Sequence, residues 1–378
     1  LDSDLTETTP TIAAARIAMR APTYPTTRRQ AMPIRHFLDH RPWAAALLCS
    51  LSALAAAQPA SVTVFGVLDI GLQQLTNGSK RLNQQSIDGL QTSRLGFRGT
   101  EDLGGGMLAS FHLEGALAPD TGGPAGLSFT RRSTVSLSNQ LGELRLGRDY
   151  TPTFWNISRF NAFGTNGVGA ASNLIYGFDG SSGTAPTVVR SSNAIGYFLP
   201  GELGGVYGQA MVAPSEGAAA GKFVGARLGY AAGALDVAAS VSDTTNNAAG
   251  EKYNVTSLGG TYALGNWKVI GLLHNSKQAS KKQDNWVLGG TYTMGQTTLR
   301  ASYTHAHFSN SAAAAKADYT GRQLAVGGLY ALSKRTALYG TVSQVSNSAT
   351  GKFLIPGGSA ITAGQGSRGT ELGINHTF

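Results

Sequence analysis

The stretch NWVLGGTYTMGQTTLRASYTHAHF, residues 285–308, holds two segments of alternating character joined by the three residues MGQ. In the second segment Leu299, Tyr303, His305 and His307 share one parity. Period two sustained over about ten residues is the pattern of a strand with two unlike faces. A tight glycine-bearing link between two such segments reads as a hairpin.

The same unit recurs along the chain from about residue 61. Sixteen alternating segments can be marked, from VTVFGVLDIGLQQL through KFVGARLGYA and ALDVAASVS to the terminal GTELGINHTF. Their links alternate too. NQLG, PGELG, AAG, LGN, MGQ and LSKR are tight, whereas residues 76–89, 242–251 and 347–367 are longer and polar. Short turns at one end and long loops at the other predict an up-and-down barrel, and segments of this length span a bilayer when tilted. One face of the segments is often Gly, Ser, Thr, Asn or Arg, which suits a water-filled interior better than a packed sandwich core. Aromatic residues near strand ends (Tyr197, Phe198, Tyr230, Tyr262, Trp267, Trp286, Tyr292, Tyr330, Phe378) fit the girdles of a membrane interface. The fold class expected is therefore all-β, a 16-stranded antiparallel transmembrane barrel.

Composition narrows the function. The chain of 378 residues carries a formal charge of +9, yet only 13% of residues are charged and 50 are glycine. Its Lys and Arg are scattered singly through the strands, unlike the clustered basic face of a nucleic-acid binder, so nucleic acid is not an expected partner. The single cysteine, Cys49, lies in the apolar run WAAALLCSLSALAAA, residues 43–57, which basic residues precede and Ala55-Ala56-Ala57 close. That is the layout of a secretory signal. Residues 32–57 read as a signal peptide, residues 1–31 as an over-long gene start or a disordered extension, and residues 58–378 as the barrel.

One interruption breaks the alternation. Residues 151–188, TPTFWNISRFNAFGTNGVGAASNLIYGFDGSSGTAPTV, have no clear period two but carry Phe154, Trp155, Ile157, Phe160, Phe163, Ile175 and Tyr176. A disordered segment lacks such apolar content, and a loop this long in a compact protein usually has a role. In a wide barrel the inner wall is the surface available for it to pack on. The expected loop therefore covers about 150–189 and folds inward.

With these residues in view, the chain resembles the trimeric general porins of Gram-negative bacteria, β-proteobacterial type. The resemblance rests on SVTVFGVLDIGL (61–72), SRLGFRGTEDLGGGMLASFHLEG (93–115), GELRLGRDYTPTF (142–154) and GINHTF (373–378), and it covers residues 58–378. It implies an outer-membrane homotrimer of sixteen-stranded barrels in contact with lipid and lipopolysaccharide. It also implies a third loop that narrows the pore against a wall of arginines. The terminal aromatic, Phe378, is implied to be the signal read by the outer-membrane assembly machinery. Strand parity supplies the arginines. Leu95 and Phe97 facing lipid puts Arg94 and Arg98 inside; Val135 and Leu137 facing out places Arg132, and not Arg131, inside; Ile195 and Tyr197 facing out leaves Arg190 inside. Arg145 shares the lumen side of its strand. An outward arginine at mid-membrane costs about 2–4 kcal/mol, which favours lumen or rim.

The loop departs from the family pattern, in which loop carboxylates face the arginines. From Thr151 to Val189 it holds one acid, Asp179, and one base, Arg159, with Asp149 at its entrance and Glu114 as a further acid toward the lumen. Few carboxylates oppose the basic wall, so the expected function is passive diffusion of small hydrophilic solutes and ions with anions preferred. Other readings are a substrate-specific channel, a barrel hydrolase or a surface adhesin. No histidine lies in a nucleophile motif, and the His305/His307 pair lacks a third ligand for a metal. No catalytic residue, metal or cofactor is expected.

Overall fold

The computed structural model describes residues 61–123, 127–180, 185–218 and 220–378; the expected signal and N-terminal extension lie outside them. The described residues begin with β1 (Ser61–Asn77), β2 (Lys80–Ser86), β3 (Arg94–Gly104) and β4 (Met107–Ala116). Next come β5 (Arg132–Asn139) and β6 (Gly142–Tyr150), then helices α1 (Pro152–Arg159) and α2 (Ser172–Ile175). The wall resumes with β7 (Arg190–Phe198), β8 (Val206–Ala213), β9 (Phe223–Ala232) and β10 (Leu235–Thr245). Longer strands follow: β11 (Lys252–Leu264), β12 (Trp267–Gln278), β13 (Lys281–Met294) and β14 (Thr297–Asn310). The last are β15 (Ala317–Ala331), β16 (Thr336–Asn347) and β17 (Ser367–Thr377).

Every neighbour is antiparallel, and β17 returns to β1 in register from Val67↔Thr377 to Asn77↔Ser367. The sheet is thus closed, leaving no edge to be satisfied by lipid. Seventeen segments make sixteen staves. β2 pairs with Gly71–Asn77 and β3 with Ser61–Val67, both on the same side of β1, so they are two halves of one interrupted strand. The sequence reading placed residues 76–89 in a loop; half of that stretch is instead β2, joined to β1 by a turn at Gly78–Ser79.

The interruption has a local cause. The Asp69 side chain on β1 accepts backbone N–H bonds from Gly89 (3.1 Å), Leu90 (3.1 Å) and Gln91 (3.0 Å). Tyr339 Oη (2.7 Å) and Asn375 Nδ2 (2.8 Å) donate to the same carboxylate. Ser93 Oγ completes the knot, donating to Ile87 O (2.8 Å) and Asp69 O (3.0 Å). Residues 87–93 are thereby drawn off the ladder, and their backbone polar groups are satisfied by a side chain instead.

The burial pattern inverts that of a soluble protein. Exposed residues include Leu72, Leu228, Leu258, Val342 and Leu372, while Ser240, Ser257, Asn285, Gln323 and Ser343 are buried. Apolar side chains therefore face outward to lipid, and polar ones face an interior that loops partly fill. Tyr197, Tyr230, Tyr262, Trp267, Tyr330 and Phe378 are all exposed near the short-turn end, where the girdle is expected. Gly265 and Gly295 occupy left-handed positions (φ 57° and 58°) in two of those turns.

At the seam, Phe378 N–H donates to Gly66 O and Gly66 N–H to Phe378 O, both 3.1 Å. The Phe378 ring lies where a side chain on Gly66 would project. His376 and Phe378 share the outward stripe of Leu372 and Ile374.

Candidate functional site

Residues 150–180 and 185–189 fold into the barrel. The first turn of α1 is set by Thr151, whose Oγ1 accepts the Phe154 N–H (3.4 Å), and by Pro152, which needs no backbone donor. Asn156 then clamps the helix to the wall. Its Nδ2 donates to Ala238 O and Ser257 Oγ (both 3.0 Å), and its Oδ1 accepts from Arg227 Nε (2.5 Å). Further along, Gln323 Nε2 donates to Val168 O (3.0 Å) and Gln283 Nε2 to Leu174 O (2.8 Å). The apolar residues of the loop fill the remaining contacts: Ile157, Phe160, Phe163 and Ile175 pack with Ala238, Ile270, Leu272 and Ala325. Inward Gly259 gives Phe160 its seat, since a methyl there would overlap the ring. The loop thus leans on β9–β17, with Val168 N–H donating to Glu371 (3.3 Å), and leaves β3–β7 free to carry charge.

On that free side the arginines gather. Arg94 Nε and Arg131 Nε reach Glu114 at 3.6 and 2.6 Å. Arg131 Nη2 and Arg190 Nη2 both donate to Tyr150 Oη, at 2.9 and 2.7 Å. Arg145 bridges Asp149 (2.6 Å) and Glu143 (2.8 Å) and lies 3.9 Å from the Phe198 ring centroid, and Arg132 Nε stands 3.6 Å from Asp149. Arg98 lies 5.2 Å over the Phe65 ring. Six guanidiniums (Arg94, Arg98, Arg131, Arg132, Arg145, Arg190) thus share this wall with three carboxylates, Glu114, Glu143 and Asp149. The acids sit between the arginines on neighbouring strands and hold their forks in place.

All five arginines placed inside by parity are on this wall. Arg131 corrects the reading that kept it out: β5 begins only at Arg132, so strand alternation does not bind its neighbour, and its side chain turns in to Glu114. Glu114 and Asp149 join the wall as anchors. Asp179 does not face it. This residue accepts a hydrogen bond from Tyr319 Oη, and its backbone N–H donates to Gln283 Oε1 (3.1 Å) on the far side. Arg159 likewise pairs with Asp236 of β10 (2.6 Å) and lies over Tyr207 at 4.6 Å. The sequence reading missed inward Arg227 and Arg300, although parity with outward Leu228 and Leu299 would have found both.

Two cavities of unlike lining lie beside the loop. One of about 350 Å³ is bounded by Arg94, Arg131, Arg132 and Glu114 on the wall and by Phe154 and Trp155 on the loop. The other, of about 680 Å³, is lined by Gln73, Gln84, Asp88, Asn166, Asn173 and Asp179, and by residues 354–357. Burial and the nearby Asp69 carboxylate push Asp88, in the link after β2, above the usual carboxylate range, against the pull of Arg131. The last long loop, expected as a polar outer segment, dips inward here: Phe353 and Ile355 are buried, and Asn347 and Ser367 fix their backbone (2.9 and 3.0 Å).

A closed sixteen-stave barrel with a lipid-facing exterior, a polar lumen and an infolded loop defines the class: an outer-membrane channel. A sequence profile described as Gram-negative porin matches residues 44–350, and the chain belongs to that family. It is 32% identical to outer membrane porin protein 32 of Delftia acidovorans over 356 residues, covering 88% of this chain and 99% of that one. To an outer membrane porin protein of Bordetella pertussis it is 30% identical over 287 residues, 69% of this chain and 67% of the relative. Among solved structures, the anion-selective porin from Comamonas acidovorans superposes with TM-score 0.75 at 30% identity, covering 84% of this chain and all of that one. OmpT of Vibrio cholerae, at 15% identity and TM-score 0.66, shares the fold. The family is one of channels, so this chain is an outer-membrane channel protein and not an enzyme.

Proposed function

We propose that the channel passes small hydrophilic solutes and ions by passive diffusion with anions favoured, and that the arginine wall facing loop 150–189 is its constriction. The observation that carries this is the excess of six guanidiniums over three carboxylates on one lumenal wall, with the loop acid Asp179 engaged elsewhere. A ring of one charge sign selects the opposite ion. The anion-selective porin that this chain resembles supports the same sign. Reversal potentials across a planar bilayer in a KCl gradient test it: chloride preference is expected, and potassium preference overturns it.

A homotrimer fits the outer surface. Arg148 pairs in register with outward Ser133 and donates to Thr130 O (2.6 Å) and Ser192 Oγ (2.8 Å), four residues beyond outward Leu144. A cation there is costly against lipid, so contact with a second subunit is the cheaper cover. Closures in three equal steps in single-channel records are the expected signature. Outward Lys277, Lys282, Arg322 and Arg368 toward the long-loop end supply cations for the phosphates of lipopolysaccharide. Phe378 at the seam is the proposed mark for the assembly machinery; undiminished trimer yield after its deletion would contradict that role.

A further inference from the structure

The smaller cavity joins two chemistries that simple anion conduction does not require together. Its wall carries three guanidiniums, Arg94, Arg131 and Arg132, against Glu114 at its edge and Asp149 behind Arg132. An incoming anion therefore meets net positive charge, with Arg94 already held by Thr92 O and Gln91 Oε1. Its loop side carries an aromatic group. Tyr150 stacks on Phe154 (centroids 4.7 Å apart, planes at 9°), and Trp155 meets Tyr150 edge-on at 5.4 Å. All three rings line the cavity, but Arg190 covers Tyr150 at 4.3 Å and Phe154 is buried, so half-buried Trp155 is the ring most open to a ligand. The Trp155 indole N–H is buried and has no hydrogen-bond partner among the described residues. Guanidiniums beside an aromatic surface are an arrangement for a ligand that is anionic at one end and flat at the other.

We infer that this cavity is a binding site for planar aromatic carboxylates, with the carboxylate on Arg94 and Arg131 and the ring against Trp155. A benzoate-sized ligand fits within about 350 Å³. An aliphatic carboxylate of equal charge satisfies the guanidiniums equally but gains nothing from the rings. The site rests on the anion-favouring reading above, and it adds a preference among anions that charge alone does not give.

The test is inhibition of chloride current through the purified trimer in a planar bilayer, with benzoate and cyclohexanecarboxylate as probes. These have the same charge and nearly the same size, but only benzoate is flat and aromatic. Benzoate is expected to block at a concentration about threefold to tenfold lower, the range an added aromatic contact supports. Trp155→Leu should bring the two probes together, and Trp155→Met serves if the first variant does not insert. Trp155→Phe should keep part of the difference. Equal block of the wild-type channel, or an undiminished difference in Trp155→Leu, overturns the site. A wild-type reversal potential of the wrong sign would instead overturn the anion reading on which it rests.

Discussion

The two sides of the lumen solve the problem of buried charge in different ways. On β3–β7, arginines outnumber their carboxylate partners, and Glu114 and Asp149 are each shared between two guanidiniums. Around β1, β16 and β17, a carboxylate is instead wrapped in neutral donors: Asp69 takes three backbone N–H groups, a phenol and an amide. The first arrangement leaves net positive charge facing the passage. The second spends its charge on holding the chain in place. A charged residue in a channel is thus a selectivity element only where its partners leave some of its field unspent.

The largest expected effect comes from the spent side. Asp69→Ala strands the N–H groups of Gly89, Leu90 and Gln91, each costing about 1–3 kcal/mol if left unpaired. It should impair folding, read as loss of the heat-modifiable folded form on gels. Folding at wild-type yield would show that lumenal water replaces the carboxylate. On the unspent side, Arg94→Gln with Arg131→Gln removes two charges from a potential of several kT. The chloride-to-potassium permeability ratio should fall on the order of threefold to tenfold, with the folded yield measured alongside. An unchanged ratio would move the selecting charge elsewhere.

The loop between the two sides offers a subtler break. Gly259→Ala pushes a methyl into the Phe160 ring, and overpacking of this kind costs about 1–3 kcal/mol. Noisier open-channel current and a lower unfolding temperature are expected; quiet wild-type current would mean that Asn156 alone fixes the helix. The smallest effect is assigned to Asp88→Asn with Asp179→Asn in the larger cavity. Because Asp179 is held by Tyr319 and Asp88 is pushed toward its neutral form, anion preference should rise by less than about twofold, measured as a reversal potential. A shift larger than that of the arginine pair would reverse the comparison.

Much of this was legible beforehand because a strand alternates strictly. Once outward Leu95 and Val135 are identified, Arg94 and Arg132 have one possible face. Arg190, by contrast, lies past a register shift at Asn193 (φ 56°) that breaks the alternation counted from Ile195. The misses fall where alternation does not apply. Arg131 precedes its strand, Asp179 lies in a loop at positive φ (59°), and residues 87–93 leave the ladder because one side chain competes for their backbone. Phe353 was missed for a related reason. A long polar loop gives no sign that two of its apolar residues will seek the barrel mouth, where inward Gly321 makes room for the ring.

By itself the sequence determined the architecture: period two sets strand faces, alternating link lengths set an up-and-down order, and the outward stripe ending at Phe378 sets where the barrel closes. Those are local rules, enforced by backbone geometry and by the cost of an unpaired edge in lipid. Only the tertiary structure decided which charges are spent. That depends on groups far apart in the chain, such as Asp69 with Asn375 or Asp179 with Tyr319, meeting across a closed lumen. No pattern within one strand records such a meeting, because the barrel must close before those side chains are neighbours.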